Sequence, residues 1–386
     1  MIYLDNAATS YPKPEPVYRG IEEFVRAAGA NPGRGGHRRS TEAGAMIEET
    51  RRLLARLVGS PRPERVIFGL NATDGLNMAI KGIIRQGDHV ITTDLEHNSI
   101  NRPLNRLERD GVITLTRLAA GDDHLIDPDD LARAFTPKTR LVALTHASNV
   151  TGTIQPVRDL GRVTRERDAL ILVDAAQTAG VVPIDVEADY IDLLAFPGHT
   201  GLLGPTGTGG LGGGERADVS SWRDGGTGGD STRPLQPEEL PHRLEGGTPN
   251  VFGIAGLRAG LRLLIKRSVE TVLSHEQELL KTFHDALKDP ARYRWHGADR
   301  QISEGGGDGR VGLVSLNVDR FTPAEFAAIL DEQFDIAVRS GLHCAPYAHR
   351  HLGTFPDGTV RLSVGILTTP EDMRNAAAAF DEIAAA

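Results

Sequence analysis

The chain has 386 residues, 39% hydrophobic and 25% charged, an ordinary composition for a folded protein with room for two domains. Its net charge of −9 excludes electrostatic capture by nucleic acid or an anionic membrane, and His37-Arg38-Arg39 is too short a basic cluster to change that. No apolar run reaches the length of a membrane span, no signal-peptide pattern opens the chain, and the single cysteine, Cys344, excludes an internal disulfide, so a cytoplasmic protein is predicted.

Residues 1–13 read as a short extended segment followed by a proline-punctuated turn. Helical apolar spacing covers 17–28 and 41–58, with the glycine-rich loop 31–37 between them. From Arg65 onward, short apolar runs at 66–68, 90–92, 112–115, 141–144, 170–173 and 191–196 alternate with helix-length amphipathic stretches. This rhythm predicts an α/β fold, a mostly parallel sheet covered by helices on both faces. Residues 204–230 are so rich in glycine that loop or turns are expected. A long helical pattern follows Asn250, with Leu257, Leu261, Leu264, Val269 and Leu273 on one face. Runs at 311–318 and 359–364, each followed by a helix (after Pro323 and Pro370), predict a smaller α+β domain. The expected division is a large domain over 14–255 and a small one from 1–13 and 256–386.

Several stretches could carry chemistry. Phe68-Gly69-Leu70-Asn71-Ala72-Thr73-Asp74-Gly75 turns from strand into helix, and its free N–H groups would suit a phosphate or simply a capped helix. Asp94-Leu95-Glu96-His97-Asn98 and His146-Ala147-Ser148-Asn149 follow strands, where α/β sheets place ligands; His97 could equally be a helix cap. Asp174, ending the run Leu172-Val173-Asp174, is a carboxylate at the end of a buried strand and needs a cation there or a helix to cap. Leu193-Leu194-Ala195-Phe196-Pro197-Gly198-His199-Thr200-Gly201 is an apolar strand running into a glycine loop with one imidazole. Gly207-Thr208-Gly209-Gly210-Leu211-Gly212 satisfies G-x-G-x-x-G, but no amphipathic helix follows, so a dinucleotide site is not expected. No His/Cys/Asp grouping has zinc spacing, and no metal is predicted.

Taken together, these motifs resemble the fold-type I pyridoxal-phosphate (PLP) enzymes, specifically the class V aminotransferase family that contains the cysteine desulfurases. The resemblance implies that Thr73, Asp74 and His199 hold the PLP phosphate and that Asp174 pairs with the pyridine nitrogen. It further implies that Gln177 bonds the ring hydroxyl and His97 stacks on the ring. Thr248, in Glu245-Gly246-Gly247-Thr248, corresponds to a phosphate contact given to the neighbouring subunit, which implies a homodimer. Asn149 would lie beside the substrate carboxylate and Arg361 would bind it, Arg339 being the third substrate-binding residue, with L-cysteine or a similar amino acid as substrate. Arg339-Ser340-Gly341-Leu342-His343-Cys344-Ala345-Pro346 resembles the desulfurase signature of the SufS-like branch. Its thiolate takes the sulfur as a persulfide for a protein acceptor, and Arg339 and His343 are expected to favour its ionisation. Two positions depart from the pattern. Pro197 stands where many relatives carry a small hydroxyl residue, and Thr200 stands where the family has the lysine that binds PLP covalently. None of the six lysines (Lys13, Lys81, Lys138, Lys266, Lys281, Lys288) lies in one of these motifs, so an inactive or nearly inactive protein is expected.

Overall fold

A computed structural model of the chain describes residues 1–32, 36–228, 232–297 and 309–385; part of the predicted loop 31–37 lies outside them. The chain opens with β1 (Ile2–Tyr3), α1 (Glu15–Ala28) and α2 (Arg38–Leu57). The α/β part follows as β2 (Ile67–Gly69), α3 (Ala72–Ile83), β3 (Asp88–Thr93), α4 (Asn98–Arg109), β4 (Ile113–Leu118), α5 (Pro128–Ala134), β5 (Thr139–Thr145), α6 (Val157–Glu166), β6 (Leu170–Asp174), β7 (Leu193–Pro197) and β8 (Gly209–Gly213). Next come α7 (Val251–Arg267) and α8 (Val269–Ala286). The last part holds β9 (Tyr293–His296), β10 (Leu313–Val318), α9 (Pro323–Phe334), β11 (Ile336–Ala337), β12 (Arg339–Gly341), α10 (Pro346–His351), β13 (Thr359–Ser363) and α11 (Pro370–Ala385).

The large sheet has seven strands in the order β2-β8-β7-β6-β5-β3-β4, and only β8 runs against the others. Its central strands are buried on both faces, which is why they read as continuous apolar runs. Ile91, Val142, Ile171 and Leu194 pack on one side with Met46, Leu54 and Leu257 of the helices there. Val90, Leu141, Leu172 and Leu193 pack on the other with Leu76, Ile80 and Leu104 of α3 and α4. A second core forms on the four-stranded antiparallel sheet β12-β13-β10-β9, where Phe283, Phe326 and Phe380 meet edge to face. β1 pairs in parallel with β11, carrying the first residues of the chain onto this smaller layer.

Three features differ from the sequence reading. Gly209–Gly213, expected as loop, is a fully buried strand between β2 and β7. Propensity argues against a glycine strand, but close approach requires one here. A Cβ on Gly210 would lie 1.8 Å from the carbonyl oxygen of Ile67, and one on Gly75 in α3 would lie 2.1 Å from that of Gly210. The helical pattern after Asn250 is two helices, broken at Ser268, whose φ of +69° ends α7 while its hydroxyl caps α8 at Thr271. Residue 255 consequently falls inside α7, whose buried Leu257, Leu261 and Leu264 belong to the larger core. No helix among the described residues is long and apolar enough to cross a membrane.

Candidate active site

The strands β2, β3, β5, β6 and β7 all run the same way, so the turns after their carboxyl ends gather on one edge of the sheet. Asp174 sits at the centre of that edge, paired in register with Thr145 on one side and Ala195 on the other. Its carboxylate is buried and accepts the Ala176 N–H at 2.9 Å. No cation pairs with it among the described residues, and burial pushes its pKa up to about 6. Gln177, one turn on, donates to the Ala7 carbonyl at 3.2 Å.

His97 caps α4: its Nδ1 accepts from the Ser99 N–H at 3.0 Å, which leaves the ring proton on Nε2. Burial, with Arg339, Arg102 and Arg361 nearby, lowers its pKa to about 4, so the ring is neutral at physiological pH. Ser99 continues to Thr73, Oγ to Oγ at 2.7 Å, tying the α4 and α3 turns together. α3 is capped by Asn71, which accepts from the Asp74 N–H, while the Asp74 carboxylate accepts from the Leu70 N–H at 3.0 Å.

The loop after β7 is held from an unexpected side. The His199 carbonyl accepts from the Ser10 N–H at 3.0 Å, from Thr9 Oγ1 at 2.9 Å and from Lys13 Nζ at 2.8 Å. Its buried imidazole Nδ1 has no partner among the described residues. Thr200 is buried as well, and its hydroxyl donates to the Ala176 carbonyl at 3.1 Å.

Across from these turns, the smaller layer supplies two arginines and the thiol. Arg361 on β13 is buried, donates to Asp5 Oδ1 at 2.8 Å and to the Asn149 carbonyl at 3.1 Å, and its Nε has no partner among the described residues. The Asn149 side chain donates to the His343 carbonyl at 2.7 Å, joining the β5 turn to the thiol loop. Arg339 Nη2 lies 3.7 Å from Cys344 Sγ. His343 and Cys344 both have left-handed backbones, φ +45° and +60°, a strained pair of the kind that functional loops hold.

One expectation fails and one changes. His343 does not charge the thiol: its Nε2 is bonded to Thr359 Oγ1 at 3.0 Å, and burial drives its pKa down to about 2. Arg339 is the cation in contact with the sulfur, and Arg361 acts on it electrostatically from further off. Lys13, set aside in the sequence, belongs to the site's own loop. Thr248 is exposed, two residues before the cap of α7, and this chain does not bring it into the cluster. Sequence reasoning also missed Asp5, Ser10, Ser99 and the buried Glu276. The only signal for the first two was a polar run directly after a short apolar strand.

A buried carboxylate without a cation, an orphaned imidazole nitrogen and an arginine with an open Nε suit a ligand with a cationic ring nitrogen and anionic arms. Comparison with known proteins agrees. The family described as "Aminotransferase class-V" matches residues 2–375. A probable cysteine desulfurase of Methanothermobacter thermautotrophicus is 33% identical over 99% of this chain and 94% of its own length. The apo structure of a cysteine desulfurase from Thermococcus onnurineus NA1 superposes with a TM-score of 0.91 at 33% identity, covering 100% of this chain and 94% of that one. The Escherichia coli cysteine desulfurase CsdA gives 0.85 at 29% identity, covering 98% and 94%. The chain belongs to the class-V aminotransferase family, whose members use pyridoxal phosphate.

Proposed function

We propose that this chain is a cysteine desulfurase-like protein of the SufS-like branch, built to move sulfur from L-cysteine onto Cys344 and release alanine, and nearly inactive because residue 200 is threonine. The observation that carries the reading is the meeting of Cys344, Arg339 and Arg361 with the His97 turn, where the Asn98 N–H donates to the Cys344 carbonyl at 2.7 Å, on the sheet edge that Asp174 also occupies. The residues fit PLP: Asp174 would pair with the ring nitrogen, Gln177 with the ring hydroxyl and His97 with the ring face. Thr73 and the open Nδ1 of His199 would take the phosphate; Asp74 lies in the same turn, but its N–H is spent on Asn71 and its carboxylate is an anion, and Pro197 offers no hydroxyl. Bound there, PLP supplies an aldehyde for the substrate amine and a cationic ring that withdraws electrons.

The chain's own groups do the rest. Arg361 binds the substrate carboxylate, its free Nε completing a two-pronged contact, with Asn149 alongside. Neutral His97 donates a hydrogen bond from Nε2 without adding charge. Cys344, as a thiolate beside Arg339, attacks the substrate sulfur. The S–S bond forms, and the C–S electrons stay on carbon, which takes a proton. The products are alanine and a Cys344 persulfide, ready for a protein acceptor. Thr200 has no amine to carry or move a proton, a loss worth about 10²–10⁴ in rate. Thr248 would complete the site of a second copy, its exposure on this chain being in keeping with that, so a homodimer is part of the proposal.

A second reading, a non-catalytic protein of this fold that binds a ligand or a sulfur-transfer partner, is favoured by the Thr200 hydroxyl being committed to the Ala176 carbonyl. Thr200→Lys separates the two. The desulfurase reading expects cysteine-dependent alanine and sulfide release from that variant. A Thr200→Lys protein that binds PLP covalently yet releases no sulfur would leave only the second reading.

A further inference from the structure

We propose that the face formed by α4 and α10 beside Cys344 docks the sulfur acceptor, and that this acceptor is a protein presenting its thiol within an acidic segment. The inference rests on the desulfurase reading above. Both helices begin at the thiol. Asn98, the first residue of α4, donates its N–H to the Cys344 carbonyl at 2.7 Å, and α10 starts at Pro346, just past the half-buried cysteine. Asn105 on α4 donates to Tyr347 Oη on α10 at 3.3 Å, so the two helices stay in contact beyond the thiol. α10 turns Ala348 and His349 inward and leaves Arg350 exposed.

The outer surface of this helix pair is cationic and aromatic. Two guanidinium groups lie over the Tyr347 ring, Arg117 at 4.0 Å and Arg350 at 5.3 Å from its centre, and Arg350 also lies 4.8 Å from the ring centre of Phe355, which is 45% exposed. Arg102, exposed on α4, is near enough to His97 for its charge to act on that ring. Arg106 and Arg109 further along α4 are paired with Asp110. Arg117 donates only to the Thr93 carbonyl, Asn101 and Asn105, and no carboxylate pairs with Arg102, Arg117 or Arg350 among the described residues. Arginine and tyrosine are side chains that dominate the binding energy of protein interfaces. The overall charge of −9 repels a polyanionic nucleic acid, whereas a short acidic segment meets only the local cations and the Phe355 ring. Transfer there balances without a further reactant. The acceptor thiolate attacks the outer sulfur of the Cys344 persulfide, a new S–S bond forms as the old one breaks, and Cys344 leaves as a thiolate beside Arg339.

The test is thiol exchange at Cys344 in the unmodified protein, which needs neither cofactor nor turnover. Three peptides carry one cysteine as a 2-thiopyridyl disulfide, flanked by aspartate and glutamate, by serine and glycine, or by lysine, and thiopyridone release reports the rate. At low salt the acidic peptide is expected to react at least about tenfold faster than the neutral one and the basic peptide more slowly than either. The spread should collapse in about 0.5 M salt. Arg102→Glu combined with Arg350→Glu should abolish or reverse the acidic preference, while iodoacetamide alkylation of Cys344 stays within about twofold. Equal rates for the three peptides, no reaction with any of them while iodoacetamide still labels Cys344, or a preference that survives both reversals would overturn the inference. A change of oligomeric state in the double variant, read by light scattering, would overturn it too by assigning the face to a second copy. None of these outcomes touches the desulfurase reading, which stands or falls on sulfur release by Thr200→Lys.

Discussion

Arg361 and Asp5 come from opposite ends of the sequence and form an ion pair, Nη2 to Oδ1 at 2.8 Å, with the guanidinium almost fully buried. The pair keeps a buried cation neutralised while its Nε stays open towards the site. Asp5 thereby sets the resting state of the carboxylate-binding arginine.

Asp5→Asn leaves that cation without its partner. The variant is expected to lose on the order of 3 kcal/mol of stability. A carboxylate ligand replaces the missing charge, so added alanine or cysteine should raise the variant's melting temperature more than that of the unmodified protein. Thermal unfolding with and without ligand measures both effects. Equal ligand shifts in the two proteins would show that Asp5 does not govern Arg361.

The thiol loop yields a contrast between two neighbours. Arg339 holds its charge at 3.7 Å from Cys344 Sγ, whereas His343 is neutral and turned to Thr359. Arg339→Gln is expected to slow iodoacetamide alkylation of Cys344 at neutral pH by about three- to tenfold, because a charged donor beside sulfur stabilises the anion. His343→Gln should leave that rate within about twofold. Equal slowing by both variants would count against Arg339, rather than His343, as the neighbour that favours the thiolate.

Asp174 links function to pH. Its folded pKa, about 6, lies above the unfolded carboxylate value, so the folded chain binds the extra proton between roughly pH 4 and 6. The sign follows: protonation favours folding below pH 4, and that advantage is lost as pH rises through 6. Without cofactor, Asp174→Asn should be more stable than the unmodified protein at pH 7–8, by up to about 2–3 kcal/mol, and the difference should shrink towards pH 4. The same variant should retain PLP at least about tenfold less tightly, since the ring nitrogen loses its counter-charge. Denaturant melts across pH, with and without PLP, read both. A pH-independent difference in the cofactor-free protein would exclude a titrating Asp174 as its source.

The sequence by itself determined the α/β class, the parallel strands and the turns that follow them. Buried parallel strands must be apolar runs, and a parallel sheet sends the residues after each strand to one edge, which is why Asp174, His97, Asn149 and His199 were legible as neighbours. The thiol motif was legible because Cys344 is the only sulfur nucleophile in the chain. What only the tertiary structure decided was long-range or steric. Glycine is required at 209 and 210 of this strand because Ile67 and Asn71 approach too closely for a Cβ there, a constraint set by neighbours more than 130 residues away. The neutral state of His343 follows from burial against Thr359, and proximity along the chain to Cys344 suggested the opposite. Lys13 lies 186 positions from His199, so no local pattern could place its amine on that carbonyl. Periodicity reports which face of an element is apolar; which partner fills a polar group's valence is settled only when distant segments pack.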